Sequence, residues 1–273
     1  MRPTDPALSP KKAIKSAVKA LVPASTLTAL KTRAERLKVK TQSVVSDPMQ
    51  FERPTPSREC PICGYQGRFW SFGSPPRAEA LCPDCLGLER HRLLKLMFDR
   101  MSEVATAGRI LHFAPEPFVR TALYRTKRYI TVDISGWGVD CAAAMEALPF
   151  ADASFDVAIA NHVLEHVASE VTALAELKRV VGPSGLLILS VPQIQGWAST
   201  YEDETLTDAT ARRTHFGQED HLRLYGRDFM DRLRRAGLAV EPFQLDPPSE
   251  VRYGLKRGET IFLARPAPGG GAA

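Results

Sequence analysis

No stretch of about 18 uncharged apolar residues occurs in this chain, which excludes a membrane-spanning helix. The N-terminal region also lacks the apolar core of a secretory signal, because lysines interrupt every candidate run. Cysteine is scarce, at five in 273 residues, and four of them form two C-x-x-C pairs, which a metal site in a reducing compartment explains better than disulfides or redox thiols. No internal repeat is present. An excess of one charge is missing from most of the chain. The net charge is +5, but ten Lys/Arg up to Val45 face only Asp5 and Glu35, so the first 45 residues carry +8 and the remainder −3. The body is mildly acidic, and a nucleic-acid surface spread across it is not indicated. What is present is ordinary for a chain with a real core: 44% apolar and 25% charged residues. That size accommodates one large domain, or one domain with a small module.

Residues 1–56 form a basic, proline-rich N-terminal arm. Lys11 to Val22 has one amphipathic helical reading, with Ile14, Val18 and Leu21 on one face and Lys11, Lys15 and Lys19 beside it. A second short helix fits Leu27 to Lys40. A partly disordered, solvated arm is the plainest reading of this composition; peripheral contact with an anionic membrane surface or polyanion, and a targeting peptide, are the alternatives.

Residues 57–100 hold a cysteine module and a linking helix. Cys60-Pro-Ile-Cys63 and Cys82-Pro-Asp-Cys85 are 18 residues apart. Each C-x-x-C turn presents two thiolates together, and two such turns close a tetrahedron on Zn²⁺. Gly64 and Gly87 stand where knuckle turns often need positive φ. Four thiolates leave no open position, so the zinc is expected to be structural. This usage fits a reducing compartment and a cytoplasmic location. The fifth cysteine, Cys141, stands apart. His91 reads as a surface helix residue.

From residue 101 to 266 strands alternate with helices, ahead of a short flexible tail at 267–273. Strands are expected at Arg109–Phe113, Tyr129–Asp133, Phe155–Ala160, Leu186–Val191, Leu238–Leu245 and Thr260–Ala264. Helices are expected at Leu86–Met101, Glu116–Arg125 and Asp228–Ala236. Another lies before Gly182, with Val171, Leu174, Leu177 and Val181 on its buried face. The nearly all-apolar strand Leu186–Val191 suits a parallel sheet covered on both faces. The pattern gives an α/β, doubly wound, mostly parallel sheet preceded by a small zinc-binding module.

Within this region Leu148-Pro149-Phe150, Ser154-Phe155-Asp156-Val157, Asn161-His162-Val163-Leu164-Glu165-His166-Val167 and Arg179-Val180-Val181-Gly182-Pro183-Ser184-Gly185 occur in order and at suitable spacing. In these motifs the chain resembles class I S-adenosylmethionine-dependent methyltransferases of the type 11 kind. The resemblance implies a Rossmann-like methyltransferase fold, with a mostly parallel seven-stranded sheet, and S-adenosyl-L-methionine as cofactor. It implies cofactor contacts from Phe113, Ala114, Pro115 and Glu116 after the first strand, and Asp133 on the ribose hydroxyls with Ile134 beside it. Met145 and Glu146 would lie near the adenine, with Asn161 and His162 after the third strand. Two departures stand out. The turn Phe113–Pro117 has no glycine where the family has a glycine-rich one. Ala144 occupies the place of an adenine-binding aspartate, for which Glu146 or Asp140 is the available substitute.

His162-x-x-Glu165-His166 also matches a metalloprotease pattern, but that chemistry needs both histidines on one helix face. The strand running almost into His162 makes a strand-to-helix turn the better expectation. For a base, His221 is the first candidate and His166 the second; Arg212, Arg213 and Arg223 either bind an anionic substrate or face water. The expected activity is methyl transfer to a small-molecule or saccharide-type acceptor. The alternatives are an RNA methyltransferase, with the arm supplying phosphate contacts, and a non-catalytic methyltransferase-like scaffold. The oligomeric state is not legible in the sequence.

Overall fold

A computed structural model describes residues 37–123 and 128–268. The expected helix Lys11–Val22, most of the second arm helix and residues 269–273 of the tail lie outside them. The chain divides into two compact units, Met1–Leu88 and Glu89–Ala273.

In the first unit residues 37–46 are helical and a 3₁₀ turn follows at Pro48–Phe51. Two small antiparallel pairs come next: β1 (Arg58–Glu59) with β2 (Gln66–Gly67), and β3 (Trp70–Phe72) with β4 (Arg77–Leu81). Part of the region read as an arm is built into this unit. The buried Gln50 amide donates to the carbonyls of Ser43 and Asp47 and accepts from the Ser71 backbone and the Ser43 hydroxyl. Asp47 accepts from Ser71 and Arg53, which hold its carboxyl below the usual range. A side-chain amide that satisfies four polar partners ties residues 43–53 onto β3.

The second unit opens with α1 (Glu89–Arg100) and α2 (Ser102–Thr106). It continues through β5 (Arg109–Phe113), α3 (Pro117–Leu123), β6 (Arg128–Asp133), β7 (Cys141–Ala142), β8 (Val157–Asn161), α4 (Glu170–Val181) and β9 (Leu186–Ser190). After these come β10 (Tyr201–Glu202), α5 (Ala209–Phe216), β11 (Arg223–Leu224), α6 (Phe229–Arg235), β12 (Leu238–Phe243), α7 (Pro247–Tyr253) and β13 (Ile261–Pro266).

Seven strands form one sheet in the order β12-β13-β9-β8-β5-β6-β7. The five from β7 to β9 are parallel to one another, and β13 pairs antiparallel with both β9 and β12. This is the mostly parallel doubly wound sheet expected from the sequence. The two-residue period of its strands sends neighbours to opposite faces. Leu111, Phe113, Ala158, Ala160, Leu187 and Leu189 pack with α4 and α6, whereas Ile110, Val157, Ile159, Leu186 and Ile188 pack with α1 and α3. The second set explains why α1, read as a linking helix, belongs to this unit: Leu93, Leu94 and Met97 are part of the same core.

The expected helix before Gly182 forms as α4, capped by Ser169, whose hydroxyl accepts from the Thr172 N–H, and ended by Gly182 at φ +67°. Its buried face is Ala173, Leu174, Leu177, Val180 and Val181; Val171 is 76% exposed, one position out of register with the expected stripe. His91 is half-buried beside Phe118 rather than on the surface, and burial pushes its pKa down to about 4.

Candidate active site

Sequence order runs outward from β5 in both directions, to β6 on one side and β8 on the other, which opens a crevice at their carboxyl ends. A cavity of about 650 Å³ lies there. Phe113 and Ala114 line it at the end of β5, Val132, Asp133 and Ile134 at the end of β6, and Ala143 to Glu146 after β7. His162, Val163, His166, Val167, Ala168 and Asp220 close the other side. Of the residues expected to hold a cofactor, Phe113, Ala114, Asp133, Ile134, Met145, Glu146 and His162 share this cavity; Pro115, Glu116 and Asn161 are not on its wall.

The glycine-free turn reaches a glycine-like conformation. Ala114 stands at φ +42°, in the left-handed region, while its N–H donates to the Val132 carbonyl at 2.9 Å. An alanine there costs about 1–2 kcal/mol, held in place by the strands on either side.

Glu116 faces inward instead. Its carboxylate takes a 2.7 Å hydrogen bond from His112 Nε2 and a 3.2 Å bond from Asn161 Nδ2. Burial pushes its pKa up, but the His112 contact outweighs this and the net shift is downward. His112, fully buried, pairs through Nδ1 with the Tyr129 hydroxyl at 2.7 Å. Glu116 and Asn161 therefore brace the floor beneath the crevice.

Asp133 Oδ1 accepts from the Ser135 backbone and hydroxyl, making a tight turn at the cavity rim. The turn reading and the cavity reading of this residue thus coexist. Glu146 Oε1 accepts from the Ala168 N–H at 2.8 Å, so it already tethers the turn before α4. Asp140 is occupied by the Thr131 backbone and hydroxyl and is not on the cavity wall.

His162 at φ +53° turns the chain out of β8, and residues 162–166 are not helical. The two histidines do not share a helix face, which removes the metalloprotease arrangement. Burial opposes charge on His162, but Glu165 at 3.5 Å and Glu259 at 3.6 Å raise its pKa.

His166 lines the cavity, and its ring meets His221 edge-on at 4.7 Å. His221, only 4% exposed, is behind that wall. It is brought there by the Leu222 N–H, which donates to the Glu165 carbonyl at 2.8 Å. Arg223 is neither a substrate clamp nor a surface residue: it is buried and donates to the carbonyls of Leu164, Val167 and Ala168 and to Glu202. Arg212 donates to the Leu206 carbonyl, and Arg213 pairs with Glu219. His215 meets the Tyr201 hydroxyl away from the cavity wall. Sequence reasoning missed the burial of Glu165, 1% exposed; an acidic residue flanked by Leu164 and His166 in a strand-end turn was the available signal.

In the first unit the four cysteine sulfurs lie within 4.8 Å of one another, with Cys60–Cys85 at 3.6 Å and Cys63–Cys82 at 3.7 Å. A tetrahedral ion with arms of about 2.3 Å separates its sulfurs by about 3.8 Å, so the set fits Zn²⁺. Gly64 takes φ +78° at the first knuckle. At the second the left-handed residue is Leu86 (φ +60°), not Gly87 as expected. Gly87 is needed for space, since a Cβ there would sit 2.8 Å from Ile62 and 3.2 Å from the Cys85 sulfur.

Residues 116–189 match the family model described as a methyltransferase domain. A curated relative, an uncharacterised 37.1 kDa transposon protein of Streptomyces fradiae, is 30% identical over 110 residues. The match takes in 40% of this chain and spans only about 30% of the length of that relative. Among solved structures, an S-adenosylmethionine-dependent methyltransferase of Mesorhizobium loti is 18% identical, with 66% of this chain and 98% of that one covered (TM-score 0.44). The 1,6-didemethyltoxoflavin N1-methyltransferase of Burkholderia thailandensis is 16% identical, with 64% and 78% covered (TM-score 0.43). The matched residues 116–189 contribute β6, β7, β8 and β9 to the seven-stranded sheet. No helix among the described residues is long and apolar enough to cross a membrane.

Proposed function

We propose that this chain transfers a methyl group from S-adenosylmethionine to a small-molecule or saccharide-type acceptor, and that Cys60, Cys63, Cys82 and Cys85 hold a structural zinc. The observation that carries the reading is the cavity at the β5/β6/β8 crevice, where the carboxylates of Asp133, Glu146 and Asp220 meet apolar walls. Its size suits a nucleoside-bearing ligand. Bound there, the cofactor supplies an electrophilic methyl on a sulfonium.

The chain's own residues do the positioning. Asp133, with Oδ1 fixed by Ser135, presents its carboxylate to ribose hydroxyls at the rim. Val132, Ile134 and Met145 offer apolar surface to an adenine ring, and Ala144 keeps that wall low. Left-handed Ala114 lets the backbone pass close to the cofactor's amino acid moiety. An in-line displacement then depends chiefly on alignment. The acceptor enters at the His162–His166–Asp220 end, and its proton is drawn toward that corner. Of the two histidines expected as bases, only His166 reaches the cavity; His221 supports its ring from behind.

The test is titration calorimetry of zinc-replete protein with S-adenosylhomocysteine. Micromolar binding that weakens at least tenfold in Asp133→Ala is expected, since a hydrogen bond to a charged group is worth about 1.5–3 kcal/mol. Absence of heat and of any thermal shift in the wild-type protein would refute the reading and leave the scaffold alternative.

A further inference from the structure

The side chains of Glu165, His166 and His221 form a second metal-capable group, with one ligand atom from each within 4.8 Å of the others. Glu165 is a carboxylate at 1% exposure whose Oε2 has no hydrogen-bond partner among the described residues. Its Oε1 is 3.5 Å from His162 Nδ1, long for a hydrogen bond, and 4.0 Å from His166 Nε2. A buried carboxylate oxygen left without a partner costs free energy that a bound cation offsets. His221 is equally buried, and its Nδ1 also lacks a partner among the described residues. Two orphaned, buried polar atoms thus belong to neighbouring members of one cluster.

The tautomer of His166 points the same way. Its Nδ1 is 3.1 Å from the Asp220 carbonyl oxygen, which only accepts, so Nδ1 carries the proton. In the neutral ring this leaves the lone pair on Nε2, the nitrogen that faces Glu165. A ligand histidine whose other nitrogen donates to a backbone carbonyl is the usual outer support of a metal site. Metal arms of about 2.1 Å span at most about 4.2 Å across an ion, so the 4.0 Å gap between Nε2 and Oε1 already admits one.

We propose that Glu165, His166 and His221 bind a divalent first-row cation at the acceptor end of the cavity. Two imidazoles and one carboxylate leave positions open for a further ligand. Taken with the methyl-transfer reading, on which this role rests, that ligand is an acceptor oxygen. The ion then polarises it, and His166 serves as a metal ligand rather than as a base. Asp220, which lines the cavity and has its Oδ2 3.4 Å from His166 Nδ1, completes the anionic rim.

The experiment uses full-length protein whose thiolate site is already filled with zinc. It is titrated with Mn²⁺, free ion being read by electron paramagnetic resonance, and separately with Zn²⁺, counting equivalents beyond the first. The expected result is one additional ion per chain, from at least one of the two metals. Affinity for it should fall at least tenfold in Glu165→Gln, which keeps the side chain's shape, and in His166→Ala, which alters a cavity-facing ring. Retention of neither ion, or unchanged affinity in either variant, overturns the proposal. S-adenosylhomocysteine calorimetry on the same samples separates the two readings. Ion binding without cofactor binding leaves the cation site standing and removes its role in methyl transfer. Cofactor binding without ion retention does the reverse.

Discussion

Among the described residues, two clusters of side chains able to hold a metal ion are built on opposite plans. The four cysteines come in pairs two residues apart, and each pair is folded by its own knuckle: Gly64 N–H to the Cys60 carbonyl, Leu86 N–H to the Cys82 carbonyl. Local backbone geometry does most of the assembly. Glu165, His166 and His221 depend on long-range structure instead. A strand must end at Asn161, the left-handed His162 must turn the chain, and Arg223 must clamp the carbonyls of residues 164, 167 and 168 before His221 arrives. A ligand set written within two short motifs is robust to change elsewhere in the fold. One assembled from residues 165 to 221 inherits every weakness of its scaffold.

The sharpest way to break the local cluster is Cys82→Ser. Zinc content measured by atomic spectroscopy is expected to fall from one per chain to none. Residues 57–88 are expected to become sensitive to limited proteolysis, because structural zinc supplies about 10 kcal/mol of apparent binding energy to such modules. Full zinc retention would contradict the four-thiolate assignment.

The matching break on the other side touches no ligand. Arg223→Met removes the donors to three carbonyls and leaves Glu202 with one cation fewer. A loss of about 3–5 kcal/mol, read from denaturant midpoints at constant slope, is expected because the carbonyls of Leu164, Val167 and Ala168 lose their donors, at about 1–3 kcal/mol for each buried group left unsatisfied. A change below about 1 kcal/mol would mean that the 164–168 turn holds itself.

Acid probes the same unit through His91. The unfolded chain takes up a proton at this ring as pH drops through about 6.5, whereas the folded protein resists until about 4. Stability contributed by the neutral buried ring is therefore complete above pH 6.5 and declines between 6.5 and 4, by up to about 3 kcal/mol. Paired melting curves of the wild type and His91→Gln across that range should show the wild type losing stability more steeply. Parallel curves would exclude the effect.

The smallest effect belongs to Ala114. Glycine there relieves left-handed strain but loosens the unfolded chain, so Ala114→Gly should stay within about 1 kcal/mol of wild type. Ala114→Val, β-branched at φ +42°, should cost more and weaken S-adenosylhomocysteine binding. Equal stability of the two variants would show that this turn relaxes.

The same contrast explains what could be read from the sequence. Both cysteine pairs, the alternating strands and helices, and the doubly wound parallel sheet were legible because each rests on short spacing or simple periodicity, whereas β7, two residues long, carried no such signal. The cavity residues next to strand ends, Phe113, Asp133 and His162, followed from the same logic. Glu116 and Asn161 were expected at the cofactor because of their position after a strand, but position does not give side-chain direction, and His112 draws Glu116 inward. Arg223 and Glu165 were opaque for a related reason. Charged residues in a polar stretch look solvated until the partners that bury them, many residues away, are known. Helices α5 and α7, seven or eight residues long and lacking a clear apolar stripe, were hidden by the polar sequence around them.

The pinning of residues 195–221 has a further consequence. The Ile194 N–H donates to the Tyr225 carbonyl, Tyr201 pairs with Leu224, and Leu222 is fastened to Glu165. Both ends of this stretch are thereby anchored to the framework close to each other. Lengthening a loop whose ends are already fixed carries only a small entropic cost. Residues 203–219 can therefore be exchanged or extended as a cassette while the cavity wall, which they do not line, stays unaltered.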